Sequence, residues 1–433
     1  MQRRYQLLVK QHLRQSESVA TGLRVVYQNG SRGAADLGAW RFYDNSQVTL
    51  PVLVAPLMAR AHNAVREDCD QYALCVHDQS GLHLTNHHAK QDRKVMYSRD
   101  DLGYELQSAL LLSDRDGQPL APAYLALAAK DGVYSTRREE PLPSRPWVDE
   151  VNRTMGHLEG QQFDKRLVHI IDRELDKLLH LRRFVRCQRL FVIRANDTRR
   201  VRHKGESRLL AEVEGTLAKR FRRSREISYH GRPAWQYLAQ TAVVLDQPAR
   251  LYRQRNGKLE QRVIPGPPIS LRLVIAQVRD KEGSVLATWR LWNNLSSEIT
   301  ASTIALWYYW RWRIESFHKL IKRAGQCVEQ WQQTTITRFA KRLLVAAQAC
   351  CIVWAFEQSE TQEATELKQL LLRLSGRQMR IGVQETAPAL LAGFWNLQAI
   401  ADVLDDYDVD TIRRFAQLID KTVGLLVQAE PEV

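Results

Sequence analysis

The sequence predicts an α/β protein with helical ends, and three observations carry that prediction. Short apolar runs of strand length cluster between residues 72 and 130 and recur at 167–172 and 189–196. Helix-period segments alternate with the later strands and fill both ends of the chain. Between residues 206 and 290 the pattern changes to alternating, β-branched runs punctuated by NGK, PGPP and KEGS, the signature of a β-rich insertion. At 433 residues the chain is too long for one core, so two to four domains are expected.

Residues 1–65 form a helical N-terminal region. QLLVKQHL and LPVLVAPLMARAHNAV place apolar residues at helical spacing, separated by a loop, QNGSRGAADLG. YALCVHD, ELQSALLLSD and APAYLALAAK follow as strands, the last two joined by the turn DRDGQP. VNRTMGHLEGQQFDKR is a helix, LVHIID a buried strand, RELDKLLHLRRF a helix and RLFVIRAN a strand. Three strands, then helix, strand, helix and strand, is the order of a ribonuclease-H-like core, first part, over 66–205. Any α/β or α+β domain with this order fits equally, because pairing cannot be read from periodicity. In the insertion, 206–290, AEVEGTLAKRF, QYLAQTAVVLD, RLYRQR and SLRLVIAQVRD are the strand-like runs. Residues 291–360 return to the core with the helix WYYWRWRIESFHKLIK and a second helix, ITRFAKRLLVAAQACCIVWAFE. ELKQLLLRL, APALLAGFWNLQAIADVLDDY and TIRRFAQLIDKTVGLLV make 361–433 a helical tail.

Hydrophobic residues make up 44% of the chain, enough to build cores. Lys plus Arg number 63 against 48 acids, a formal net charge of +15. That excess favours a polyanionic partner, nucleic acid first, through phosphate contacts and counterion release. A merely basic protein, or one that adheres to anionic membrane surfaces, is the bland alternative. Six cysteines lack C-x-x-C spacing, which argues against zinc ribbons and disulfide scaffolds and fits a reducing cytosol. The N-terminus is basic without an apolar core, so no signal peptide is expected. No run approaches the length that spans a bilayer; LLVAAQACCIVWAF is short, so a soluble cytoplasmic protein without a membrane partner is expected. His77, His83, His87 and His88 match no zinc spacing and are expected as solvated hairpin residues.

The most informative segment is WYYWRWRIESFHKLIK. In it Tyr308, Arg311, Glu315 and Lys322 are spaced Y-x2-R-x3-E-x6-K. On a helix turning about 100° per residue they fall within an arc of roughly 60°. Trp307, Trp310, Ile314, Phe317 and Ile321 occupy a different face. The ordinary reading of such a stripe is a solvated salt-bridge ladder. The pattern and its surroundings, RWRIESFHK, resemble the catalytic helix of bacterial insertion-sequence DDE transposases with a Y-R-E-K signature, the cut-and-paste group that makes hairpin ends. HIIDRELD, with Asp172, Arg173, Glu174 and Asp176, is similar to that family's D-R-E-x-D stretch, and YALCVHD to its first aspartate strand. GAWRFYDNSQVT is similar to a stretch upstream of its core. The resemblance spans residues 38–360. One departure is Gln79, which stands before Ser80 where the family has hydroxyl residues directly after the aspartate.

Phosphodiester hydrolysis and transesterification are well served by two divalent ions held by carboxylates from distant segments. The resemblance implies that Asp78, Asp172 and Glu315 are those residues, catalytic and metal-binding, with Mg2+ as the ion and Mn2+ able to substitute. Taken alone, Asp78 with Ser80 and Gly81 could begin a hairpin turn, and Asp172 could cap the following helix. Tyr308, Arg311 and Lys322 are implied to grip phosphates, assisted by Lys319 and His318, with Arg194 placed to reach DNA. A tryptophan at the end of the insertion is implied to receive a flipped end base; Trp289 matches best by distance from Glu315, and Trp292 stays open. The implied activity is binding of double-stranded transposon ends, cleavage through a hairpin and joining to target DNA, by a homodimer in a synaptic complex in the bacterial cytoplasm, at the nucleoid. The N-terminal region would bind end sequence and the C-terminal helices would dimerise. The alternatives are a decayed or domesticated transposase that binds without cutting, and a ribonuclease-H-like nuclease without strand transfer.

Overall fold

A computed structural model describes residues 2–14, 32–144, 146–255, 258–322, 325–376 and 386–427. It divides into two compact units, each taken by itself below. One, the helical unit, comprises Met1–Val48, Lys319–Thr334 and Lys341–Val433; the other, the sheet unit, comprises Thr49–His318 and Thr335–Ala340.

In chain order the first elements are α1 (Gln2–Arg14), α2 (Arg32–Asp44) and α3 (Leu50–Asp68). The loop expected at 28–38 is helical from Arg32 onward, and its first residues lie outside those described. Thr49 caps α3 by accepting a hydrogen bond from the Val52 amide, and Pro51 fits the first turn, where no helical amide is needed. Leu53, Leu57, Ala61, Ala64 and Val65 make a buried stripe at helical spacing. That stripe lies on the sheet, so α3 belongs with the sheet unit although α1 and α2 do not.

The sheet begins with β1 (Tyr72–His83), β2 (Lys94–Val95), β3 (Leu102–Ser113), β4 (Pro119–Ala128) and β5 (Val133–Ser135). Then come α4 (Trp147–Glu159), β6 (Arg166–Ile171), α5 (Leu178–Arg186), β7 (Leu190–Arg194), β8 (Arg200–His203), β9 (Glu206–Leu209) and α6 (Leu210–Thr216). The strand expected at AEVEGTLAKRF is thus mostly helical. Leu210, Val213 and Leu217 recur at helical spacing and are buried, and the Glu212 carboxylate accepts the Leu209 amide at 2.7 Å, closing the first turn. The remaining strands are β10 (Arg222–Tyr229), β11 (Arg232–Leu245), β12 (Ala249–Arg255), β13 (Lys258–Ile264), β14 (Ile269–Arg279) and β15 (Val285–Asn293).

Among the described residues, one mixed sheet runs β5-β4-β3-β1-β6-β7-β15-β14-β11-β8-β9, with β2 and β10 on side branches and β12–β13 forming a separate hairpin. β1, β3, β4 and β5 pair antiparallel, whereas β1, β6 and β7 pair parallel. Strand β15 then pairs antiparallel with β7, Trp292 opposite Ile193, so the insertion extends the sheet instead of standing apart from it. β4 is buried along its whole length, as a strand covered on both faces must be. Beneath α4, α5 and α6 lies an apolar core that includes Val151, Met155, Leu181, Phe184, Phe191, Leu210, Leu273 and Trp292.

The chain continues through α7 (Ala301–Trp310), α8 (Trp312–Lys322), α9 (Ile336–Gln358), α10 (Gln362–Leu374), α11 (Ala387–Asp406) and α12 (Val409–Val427). In the helical unit α11 packs on α10 and α1. There Lys341 donates to the carbonyls of Tyr43 and Asn45 at 3.0 and 2.8 Å, and the buried Arg342 guanidinium lies 4.1 Å from the Trp331 ring centroid. The expectation that no segment is long enough to span a bilayer is corrected: α9 and α11 both have the length and composition. For α9 the reason is a core position, since 78% of its apolar window is buried within the protein.

Trp292 is fully buried, and its indole N–H donates to Asp176 Oδ1 at 3.1 Å. Asp176 has no exposed side-chain surface and also accepts from the Asn196 amide at 2.7 Å, with Arg199 at 3.2 Å. Trp292→Ala should therefore cost about 3–5 kcal/mol through the cavity it leaves. Trp292→Phe, which keeps most of the volume but strips a donor from Asp176, should cost about 1–3 kcal/mol. Urea unfolding measures both; a Trp292→Ala loss below that of Trp292→Phe would contradict this packing account.

Candidate active site

Parallel pairing of β1 with β6 ends at His77 opposite Ile171, so the next residue of each strand, Asp78 and Asp172, emerges at adjacent positions. β1 does not turn at Asp78. It continues to His83, with Asp78 opposite Ser108 and Gln79, Ser80 and Gly81 paired to Gln107, Leu106 and Glu105. The hairpin reading of Asp78 is thereby replaced by a mid-strand carboxylate. Asp172 does cap: its Oδ1 accepts the Arg173 amide at 2.7 Å at the start of a 3-10 turn, Arg173–Leu175. The carboxylates also meet their neighbours here, with Gln79 Nε2 donating to Glu174 at 3.0 Å.

The third carboxylate arrives on α8. The single helix expected over 307–322 is two helices, broken at Arg311. The Arg311 amide donates to the Tyr308 carbonyl at 3.1 Å, and the Ile314 amide donates to the Arg311 carbonyl at 3.1 Å. Both bonds skip three residues instead of four, tightening the chain at that point. Arg311 itself is only 6% exposed. Its guanidinium lies 2.8 Å from Glu315 Oε1, 3.8 Å from Asp172 Oδ2 and 3.8 Å from Asp78 Oδ2. The same guanidinium lies 5.8 Å from the Tyr308 ring centroid and 5.3 Å from that of Trp312. Three acids distant in sequence thus surround one buried cation.

The remaining residues expected at the site divide into two sets. Tyr308 is buried and donates its hydroxyl to Asp172 Oδ1 at 3.2 Å. Arg194 lies 3.6 Å from Asp172 Oδ1. Trp289 is 5% exposed, its ring 5.6 Å from that of Tyr308 and 6.5 Å from that of Tyr309. Trp292, three residues on, points to the opposite face of β15 and into the core. His318, expected beside DNA, is instead buried and hydrogen-bonded to Ser108 Oγ at 2.8 Å, which ties α8 to β3 next to Asp78. Lys319 is exposed and Lys322 pairs with Glu329 at 3.4 Å; both belong to the helical unit.

Electrostatics follow burial. Desolvation lifts the Asp78 carboxyl to about 6, against the opposing pull of Arg311 and the Gln79 amide. Burial first, then the neighbouring Asp172, pushes the Tyr308 hydroxyl above its usual range. Burial pulls Arg311 down, but Tyr308, Asp172, Glu315 and Asp78 together carry it above the usual arginine range. Three carboxylates supply hard oxygen donors of the kind that hold Mg2+ or Mn2+, and the Arg311 guanidinium stands among them.

Two features went unseen in the sequence. Ser108 reaches the site only through strand register, which periodicity does not carry. His77 is the second: it is buried, with His169 Nδ1 at 2.9 Å, not a solvated hairpin residue. Its partner lies 92 residues away. The strand pattern YALCVHD carries part of the signal, since alternation puts Cys75 and His77 on one face.

No protein-family model matches the chain, and no curated protein matches it. Among solved structures it is similar to piggyBac transposase, determined by cryo-electron microscopy in a synaptic complex with hairpin DNA. The two are 10% identical with a TM-score of 0.34, over 95% of this chain and 73% of that one. At that distance the likeness assigns neither activity nor ligand.

The raised Asp78 carboxyl makes stability depend on pH. Its folded value exceeds the ordinary aspartate value of 3.8, so the stability it confers is complete below about 3.8 and is lost as pH rises through about 6. Asp78→Asn should therefore stabilise the metal-free protein at pH 7, by at most roughly 3 kcal/mol for a shift of about two pH units. The gain should vanish by pH 4. Denaturation midpoints of the two proteins at both pH values measure it; a gain that is unchanged at pH 4 would remove ionisation of Asp78 as the cause.

Proposed function

We propose that the chain is a DDE-type DNA transposase of the cut-and-paste, hairpin-forming kind. The observation that carries this reading is the meeting of Asp78, Asp172 and Glu315 around Arg311. The sheet order β4-β3-β1-β6-β7, antiparallel and then parallel, supports a ribonuclease-H-like core with the insertion following β7. The net charge of +15 supports a polyanionic substrate. On this reading the N-terminal region binds transposon ends and the C-terminal helices pair two copies in the synaptic complex.

Asp78, Asp172 and Glu315 would hold Mg2+ ions, which polarise a phosphodiester and make a water or 3′-hydroxyl a better nucleophile. The chemistry would be a hydrolysis that frees a 3′-hydroxyl, a transesterification in which that oxygen displaces another at the opposite strand's phosphorus to close a hairpin, a second hydrolysis that reopens the hairpin, and a transesterification that joins the 3′-oxygen to target DNA. The chain's own groups do the rest. Tyr308 and Arg194 hold Asp172 in orientation. The Ser108–His318 hydrogen bond fixes α8, and with it Glu315, against the strand beside Asp78. Arg311, held between two aromatic rings, supplies a fixed positive charge beside the reacting phosphate. Lys319 and Lys322, farther along α8, are the candidates for contacts to the DNA backbone.

The deciding experiment incubates the protein with Mg2+ and the DNA that flanks its coding region. Nicks, hairpins and joined products are expected. Binding without cleavage would favour the non-cleaving alternative, and cleavage without joining a nuclease. Asp78→Asn, Asp172→Asn and Glu315→Gln should each lower cleavage by roughly a thousandfold or more, because the ligands act as a unit, with end binding within a few-fold. Robust nicking by any one variant would remove that residue from the site.

Trp289 separates hairpin chemistry from simple nicking. Extruding an end base costs a few kcal/mol, and an aromatic platform returns about 1–3 kcal/mol per base. Trp289 sits against Tyr308, one side chain from Asp172. Trp289→Ala should leave the first nick nearly normal and let nicked intermediates accumulate. Unaltered hairpin formation in a folded Trp289→Ala protein would show that this ring is only packing.

A further inference from the structure

We propose that Cys75, His77 and His169 form a binding site for one thiophilic transition-metal ion, zinc foremost, separate from the carboxylate site. Cys75 and His77 are two residues apart on β1, and His169 lies opposite Cys75 on β6, so all three side chains share one face of the sheet. Asp78, next to His77, points to the other face. The three donor atoms lie within 4.8 Å of one another and all three residues are buried.

The distances are close to those an ion requires. Cys75 Sγ is 3.4 Å from His77 Nε2, which is 2.9 Å from His169 Nδ1. Tetrahedral zinc, with Zn–N of about 2.0–2.1 Å and Zn–S of about 2.3 Å, needs about 3.3 Å between nitrogens and about 3.6 Å between nitrogen and sulfur. These two pairs need a shift of a few tenths of an ångström, and the third, Cys75 Sγ to His169 Nδ1, already within 4.8 Å, would have to stand at about 3.6 Å. The other ring nitrogen of His169 faces Glu159 Oε1 at 3.4 Å, and Arg189 holds that carboxylate at 2.9 and 3.0 Å. A carboxylate on the far nitrogen is the usual support of a metal-bound histidine, since it fixes the tautomer that leaves the near nitrogen bare.

Hydrogen-bond counting disfavours a simple histidine pair. With its proton on Nε2 toward Glu159, His169 offers Nδ1 as an acceptor, so His77 Nε2 must donate. The Cys75 thiol then has no lone pair on His77 to bind, and buried His77 Nδ1 has no partner. An ion takes up the sulfur and both facing lone pairs, leaving only His77 Nδ1–H unmet. Three protein donors leave zinc a fourth position for water; thiolate and imidazole also suit copper(I).

The test is metal analysis of the full chain purified from zinc-supplemented growth, followed by Co2+ titration of the metal-free protein. About one equivalent of zinc or copper per chain is expected, together with sulfur-to-cobalt charge-transfer absorption. Both should be lost in Cys75→Ser and retained in Asp172→Asn, which damages only the carboxylate site. If Cys75→Ser fails to fold, the unsubstituted protein still decides the matter. Absence of stoichiometric metal together with absence of the charge-transfer band would overturn the site, as would metal lost in Asp172→Asn but kept in Cys75→Ser.

Discussion

The centre of the sheet unit is one guanidinium shared by three carboxylates. Glu315, Asp172 and Asp78 stand 2.8, 3.8 and 3.8 Å from Arg311. At about 4 Å and an effective dielectric near 20, unit charges interact by roughly 4 kcal/mol, so three acids this close would repel one another strongly without a cation between them. Arg311 is the group that lets Asp78 of β1, Asp172 just after β6 and Glu315 of α8 stand together. It does so incompletely. Three negative charges against one positive, or two with Arg194, leave the cluster net negative when all three acids are ionised, and burial above all lifts the Asp78 carboxyl to about 6 against the pull of Arg311. A chain of net charge +15 thus contains one local cluster of excess negative charge.

The sheet makes that meeting geometrically cheap. Parallel pairing of β1 and β6 sets Asp78 and Asp172 side by side with no loop to order, and Ser108 on β3 supplies the foothold for His318. The insertion is part of the same frame, because β15 is hydrogen-bonded to β7. Asp176 gathers Trp292 of β15, the Asn196 amide and Arg199 around one buried carboxylate four residues after Asp172. The insertion is thereby tied to the segment that follows Asp172 through one buried carboxylate.

Strand alternation gives the two tryptophans of β15 separate work. Trp292 and Arg290 face one side, and Trp289 the other, where Tyr308 and Tyr309 cover it. The aromatic layer Trp289–Tyr308 abuts Asp172 through the tyrosine hydroxyl. The same alternation on β1 separates Asp78 from Cys75 and His77, so one strand presents a carboxylate on one face and a thiol and an imidazole on the other.

Much of this was legible in the sequence, and for a stated reason. Periodicity and turn chemistry are local, so the strands at 72, 102, 119, 166 and 190, the helical ends and the Tyr308–Lys322 stripe could all be read from neighbours along the chain. AEVEGTLAKRF misled because its short run alternates as a strand would, while its capping and burial depend on a core supplied from elsewhere. The length of β1 beyond Asp78, the break at Arg311, the burial of His318 and the pairing of His77 with His169 were settled only by tertiary structure. The β1 extension depends on β3, 20 to 28 residues away in the chain, and the others depend on partners 92 to 233 residues away or on desolvation, none of which leaves a local periodic trace. The sequence by itself determined which acids, cations and aromatics the chain has to offer and the elements that carry them. The fold alone decided which of them meet.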